Sequence, residues 1–255
     1  MDILLVLLLG LACAFLVNYL SDVLPIQRKL ATPTCPSCQA HFQAVNYLTL
    51  GVCRSCKTRR SVRTFLVLIL GALVALALWT WPPDMGFWLA LVILTYFGVV
   101  TVIDIEHRLI MHMVSLAGAI LFIPIGIFLH GWQSTLLGGL VGGGVMLLFY
   151  FVGTWFAKYR ARKRGIDDDE EALGFGDVTI STVLGLLVGW PNIALTLLLG
   201  ILLGGLVSLL MIVGLTLLRR YDPMNVFTAY GPFLIAGATM MLFFRDTVLK
   251  MLFGG

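Results

Sequence analysis

Two aspartates and four cysteines are the residues of this chain whose types and spacing could do chemistry. Asp104 sits in Val102-Ile103-Asp104-Ile105-Glu106, and Asp177 in Gly174-Phe175-Gly176-Asp177-Val178. Each lies at the edge of a long apolar segment. An ionisable group in such a segment costs about 2.5–3.5 kcal/mol on insertion scales, so it usually faces a bundle interior and serves a function. Taken singly, either aspartate also reads as a helix cap or a snorkelling end charge. Taken together, one of them preceded by Gly-x-Gly, they read as a pair. Two carboxylates a few ångströms apart cannot both ionise cheaply, so they titrate as a unit with one pKa raised. The charged member can take a proton from water while the protonated one hydrogen-bonds a scissile carbonyl. The residues alone do not assign base and acid.

Cys35-Pro-Ser-Cys38 and Cys53-Arg-Ser-Cys56 form two Cys-x-x-Cys pairs separated by 14 residues. That is the knuckle spacing of a four-thiolate zinc site. Disulfides are the competing reading, but the cysteines lie in a basic loop assigned below to the reducing cytoplasm. Four sulfurs leave no open position, so the zinc is expected to be structural. His41, between the knuckles, is then surplus to the metal and reads as a surface residue.

The elements that position these residues are membrane helices. The hydrophobic fraction is 60%, the charged fraction 12% and the mean hydropathy +1.00, against roughly 25% charged in a soluble domain. The expected fold class is an all-α polytopic membrane protein, with about eight transmembrane helices and a small cytoplasmic zinc-knuckle loop. The spans are expected at 3–20, 64–81, 87–104, 112–129, 135–156, 177–190, 192–217 and 226–244. The first run follows Asp2 rather than a basic cluster and has no small-x-small cleavage site, so it reads as a retained helix. The expected organisation is a first helix at 1–20, a zinc-binding loop at 21–63 and a membrane core at 64–255.

Of the 17 Lys and Arg residues, all but Arg245 and Lys250 fall in the loops 21–63, 105–111, 157–176 and 218–225. The positive-inside rule places those loops in the cytoplasm and both termini outside. Asp104 then closes the third helix on the cytoplasmic side, and Asp177 opens the sixth from the same side. The sixth segment has only 14 residues, about 21 Å of helix against roughly 30 Å of hydrocarbon. The charge reflects topology and gives no sign of nucleic-acid binding. The acidic run Asp167-Asp168-Asp169-Glu170-Glu171 reads as a solvated loop, and Glu106 and His107 as an exposed pair beside Asp104. Gly138, Gly139, Gly142, Gly143, Gly200 and Gly204 have the Gly-x3-Gly spacing of close helix packing.

In combination the chain resembles the bacterial type IV prepilin peptidases, which are membrane aspartic peptidases. Phe15-Leu16-Val17-Asn18-Tyr19-Leu20-Ser21-Asp22-Val23-Leu24-Pro25 is similar to the family's opening, and the double Cys-x-x-Cys follows it. Ile103-Asp104-Ile105-Glu106-His107-Arg108 matches the first catalytic motif, and Gly174-Phe175-Gly176-Asp177 the second. Tyr230-Gly231-Pro232-Phe233 resembles the family's Phe-Gly-Pro-Phe stretch. The chain departs from the pattern at Ile110-Met111 (Ile-Pro in the family), at Thr179 (lysine) and at Cys13-Ala14 (glycine-serine). The resemblance implies Asp104 and Asp177 as the catalytic dyad, with Gly174 and Gly176 supporting it. It implies prepilin or pseudopilin substrates in the bacterial inner membrane, cut at the cytoplasmic face. It also implies a second activity, methylation of the new amino terminus with S-adenosylmethionine, which the departures leave open. The alternative from another class is a non-enzymatic membrane assembly or transport protein with a zinc docking loop, although a transporter would place its acids nearer the bilayer midplane. A presenilin-like protease shares Gly-x-Gly-Asp but leaves the zinc loop unexplained.

Overall fold

A computed structural model of the chain describes residues 2–35, 37–164, 174–217 and 229–254. Its helices are α1 (Ile3–Gln27), α2 (Ala44–Leu48), α3 (Val62–Thr80), α4 (Phe87–His107), α5 (His112–His130) and α6 (Trp132–Arg164). They continue with α7 (Phe175–Val188), α8 (Asn192–Leu217), α9 (Gly231–Phe243) and α10 (Arg245–Phe253). Among the described residues the extended pairing is one isolated antiparallel bridge, Thr34 with His41. Six helices among the described residues (α1, α3, α4, α5, α6 and α8) are long and apolar enough to cross a bilayer. The pair α9 and α10, bent by 101°, makes a seventh if it forms one span. With the shorter apolar α7, of 14 residues, the number stands near the eight expected. Residues 226–228 of the last expected span, the acidic run 167–171, and Arg219 and Arg220 lie outside the described residues.

The helix ends follow local chemistry. The Ser61 hydroxyl accepts from the Arg63 N–H at 3.3 Å and caps α3. Gly131 (φ +81) and Gly189 (φ +71) end α5 and α7 in a region that side chains rarely adopt. Helix α1 runs on to Gln27 with Pro25 inside it, so Asp22 belongs to a helix rather than to the loop expected from residue 21.

The chain falls into two compact units, Met1–His107 and Arg108–Gly255. In the first, α1 packs against α3 through small residues. A Cβ on Gly10 would lie 2.6 Å from the Ala75 Cβ, and one on Gly71 would lie 2.6 Å from the Ala14 Cβ. Asn18 then donates to the Thr64 carbonyl at 3.3 Å inside the same contact. Lipid gives no hydrophobic drive between helices, so close backbone approach and buried polar bonds hold them.

In the second unit, α7 is the enclosed element. Ile180, Ser181, Leu184 and Leu187 along it are fully buried. The glycines of α6 let the two backbones touch. A Cβ on Gly138 would lie 2.3 Å from the Gly185 carbonyl oxygen, and one on Gly142 would lie 2.4 Å from that of Ser181. Gly142→Leu is therefore expected to destabilise this unit by about 1–3 kcal/mol or more through overpacking. Gly144→Leu, where the added side chain meets open space, should be close to neutral. Thermal unfolding of both variants in detergent checks this; equal midpoints would refute the packing argument.

Candidate active site and metal centre

Asp177 is the third residue of α7 and half-buried. Its N–H bonds the Gly174 carbonyl at 3.0 Å. A Cβ on Gly174 would lie 3.8 Å from the Asp177 Oδ2, so the carboxylate folds back over the helix start. An acid in a first turn is favoured by the helix dipole and the free N–H groups there. Contacts of three residues fix that turn. Phe175 sets its ring edge-to-face with His112 at 6.2 Å and with Tyr150 at 5.9 Å, bridging α5 and α6. Gly176 lies flat against Ile110: a Cβ there would sit 2.7 Å from the Ile110 Cβ. Thr179 donates to the Gly176 carbonyl at 2.8 Å, so with its one proton spent it accepts from the buried Ser115 hydroxyl at 3.0 Å. Thr179 thus ties α7 to α5. Tyr230, just before α9, lies within electrostatic range of Asp177.

Asp104 belongs to the other compact unit. It lies in the last turn of α4 with only 4% of its surface exposed, beside Ile103 at 2%. Ile105, Glu106 and His107 beyond it are exposed. The helix ends at Arg108, whose φ of 50 stops further turns. Glu106 and His107 are thus helical rather than in a loop, and Glu106 pairs with Arg63 of α3.

The four cysteines do come together. All four Sγ atoms lie within 4.8 Å of one another, with Cys35 and Cys53 buried and Cys38 and Cys56 exposed. The Cys35–Cys56 and Cys38–Cys53 separations are both 3.6 Å. A tetrahedral ion with Zn–S bonds of about 2.3 Å requires sulfurs roughly 3.8 Å apart, so the cluster fits such an ion. The knuckles are built alike. Gln39 and Lys57, each following the second cysteine, take φ of 57 and 55. Their N–H groups bond the carbonyls of Cys35 and Cys53, both at 2.8 Å. Cys35 N–H and Cys53 N–H return to Ala40 and Thr58 at 2.9 and 3.1 Å. His41 is exposed and pairs with the Thr32 hydroxyl at 3.0 Å, clear of the sulfur cluster.

Without a metal the thiols divide the protons unequally. Cys56 is pulled down to about 6, first by the Thr58 hydroxyl, then by the Thr58 N–H and Cys38. For Cys38 the Ala40 N–H is the largest single influence and lowers it. Bonds to Cys56, Cys53 and Cys35 together with burial outweigh that and push it up to about 12.

A polar hub joins this loop to the helices. Asp22 of α1 accepts from the Tyr47 hydroxyl at 2.6 Å and pairs with Arg60 at 3.5 Å and with Arg63. Burial first, then the Asp22 charge, holds the Tyr47 hydroxyl well above the ordinary tyrosine range, so it remains a donor. Cys35, Phe42, Tyr47 and Cys53 form the loop's small core, with Tyr19 of α1 against it.

The type IV leader peptidase family matches residues 91–209, a range that includes Asp104 and Asp177. The prepilin leader peptidase/N-methyltransferase of Pectobacterium carotovorum subsp. carotovorum is 32% identical over 215 residues, which cover 80% of this chain and 71% of that protein. The protein of the same name from Aeromonas hydrophila is 27% identical over 240 residues, covering 90% and 77%. No solved structure matches the chain. The chain belongs to the type IV leader peptidase family.

It is a multi-pass membrane peptidase, and the non-enzymatic assembly or transport reading is set aside. The residues that sequence reasoning missed in this peptidase are the hub around Asp22. Arg60 and Arg63 counted only as topology charges, and Tyr47 carried no motif. The one available signal was an aspartate inside the opening motif, at the end of an apolar run.

Proposed function

We propose that the peptidase removes the leader of a prepilin or pseudopilin with an aspartate pair, Asp104 and Asp177, at the cytoplasmic face of the bacterial inner membrane. The observation that carries this reading is Asp104, a carboxylate almost wholly buried near the end of an apolar membrane helix. Burial of that kind raises the cost of its charge and suits it to share a proton. The turn around Asp177 supports the second role, since Gly176 lets it seat against Ile110 and Gly174 leaves the carboxylate's side of the helix start open. The names of the relatives support the substrate. One carboxylate deprotonates a water and the other protonates the departing amine, with no covalent intermediate on the protein. The assay is purified protein with a prepilin in detergent, read by mass spectrometry of both product termini. An intact prepilin after long incubation would sink the proposal. The same digestion with S-adenosylmethionine present tests methyl transfer, scored as one added methylene on the new amino terminus.

The orientation rests on the placement of 15 of the 17 basic residues in four loops. A cysteine at Leu30 should label only from the cytoplasm, and one at Asp84 only from outside. The reverse pattern would put the dyad on the wrong face for the leader.

The metal is proposed as a structural zinc on Cys35, Cys38, Cys53 and Cys56, which leave no position for water or substrate. Its affinity should rise with pH. Binding needs thiolates, and an ordinary cysteine keeps its proton below about 8.5, as Cys38, whose pKa is raised in the folded loop, also does, so at least one proton is displaced throughout pH 6 to 8. Each displaced proton makes affinity about tenfold stronger per pH unit. Chelator competition on the metal-free protein at pH 6, 7 and 8 measures this, and a flat profile would contradict it.

A further inference from the structure

The unit Met1–His107 contains a cavity of about 300 Å³ that borders the sulfur cluster at Cys35 and otherwise extends beyond it. Its lining includes Asp22, Arg59, Arg60, Arg63, Glu106 and His107. Arg60 is the informative residue. Its side chain is only 9% exposed, and its guanidinium carbon lies 4.4 Å from the Phe42 ring centroid and 4.0 Å from that of Tyr47. Cation–π contact with two rings fixes the plane of the fork. Of its nitrogens, Nη1 reaches Asp22 at 3.5 Å, while Nε and Nη2 are buried with no acceptor among the described residues. Arg63 Nε is in the same position. A buried donor left unpaired is destabilising, and more so when charged. Asp22 does not reach them: its bonds go to the Tyr47 hydroxyl, Arg60 Nη1 and Arg63 Nη2.

We propose that this cavity is a phosphate site, with the Arg60 fork as its principal donor, and that it takes the phosphodiester of an anionic lipid headgroup. Three arginines against two carboxylates leave one formal positive charge, which matches the single negative charge of a phosphodiester. Guanidinium forks suit tetrahedral oxyanions because two N–H groups meet two oxygens at once. The position favours a lipid. The cavity lies where α1 ends, α3 begins and α4 ends, which by connectivity is one membrane surface of three successive spans. Basic pockets between spans at that depth receive headgroups. Ile26, also in the lining, is 59% exposed and offers an apolar edge where an acyl chain would leave. Such a lipid would brace the metal loop, since Phe42 and Tyr47 belong to its core and hold Arg60.

The test uses the full chain, purified in a neutral maltoside detergent. One arm adds phosphatidylglycerol and the other adds inorganic phosphate. Native mass spectrometry reads lipid retention, and thermal unfolding reads both arms. One phosphatidylglycerol should be retained and should raise the unfolding midpoint. Arg60→Gln should weaken retention at least about tenfold, the loss of roughly one charge-assisted hydrogen bond. Arg60 also holds Asp22, so Arg59→Gln, at an exposed position, is the second variant and should weaken retention in the same direction. If inorganic phosphate alone stabilises the protein, in an Arg60-dependent way, the oxyanion site stands and the lipid source falls. If neither ligand binds, or both variants bind as the parent does, the proposal is overturned and the buried donors are served by water.

Discussion

Asp177→Asn and Asp104→Asn are each expected to lower the rate of leader cleavage by about a thousandfold or more, while membrane insertion and metal content remain those of the parent. A positioned general acid or base contributes about 10²–10⁴ to rate, and an amide can neither accept a proton from water nor donate an acidic one. Asparagine matches aspartate in size, so the first turn of α7 should keep its Phe175, Gly176 and Thr179 contacts. Asp104 is a harder case because it is buried. There the amide removes a buried ionisable group, so stability should hold or rise while turnover disappears. The deciding measurement is single-turnover cleavage per folded molecule, with substrate binding followed separately. Near-parental turnover in either variant would remove that aspartate from the mechanism. Loss of substrate binding with residual chemistry intact would make it a docking residue instead.

Cys38→Ser should act in the opposite sense, on folding rather than on chemistry. The loop's core has four members, and two of them, Cys35 and Cys53, are themselves in the sulfur cluster. Without the metal only Phe42 and Tyr47 remain to hold about forty residues, far too little apolar area for independent stability. Structural zinc contributes about 10–16 kcal/mol of apparent binding energy in small domains, so loss of one thiolate should empty the site and unfold the loop. Arg60 would then lose both of its rings. Any fall in cleavage should track the amount of folded protein or weaker substrate capture. Zinc content, protease sensitivity of the loop and rate per folded molecule separate these outcomes. If zinc added to a folded, metal-free protein switched the chemical step on from zero with binding unchanged, a metallopeptidase mechanism would have to replace the aspartic one.

The sequence by itself determined the membrane class, the four cysteines and both candidate aspartates, because each is a local signal. A run of apolar residues, a Cys-x-x-Cys turn or an acid in an apolar segment is legible without knowing what it touches. The same holds for the glycine pairs of α6, whose spacing already implies a close helix contact. Boundaries were less legible: α1 continues through Pro25 to Gln27, carrying Asp22 on a helix end, since neighbouring elements rather than propensity decide where a helix stops. Only the tertiary structure decided that the Thr179 hydroxyl links α7 to Ser115 of α5. It alone decided that Gly176 is needed for contact with Ile110, and that Asp22, Tyr47, Arg60, Arg63 and Glu106 form one network. The bonded partners lie 25 to 43 positions apart and belong to no periodic pattern. Their pairing is an energetic consequence of the fold, where buried charges must find one another or leave donors unmet, and no local signal in the chain records it.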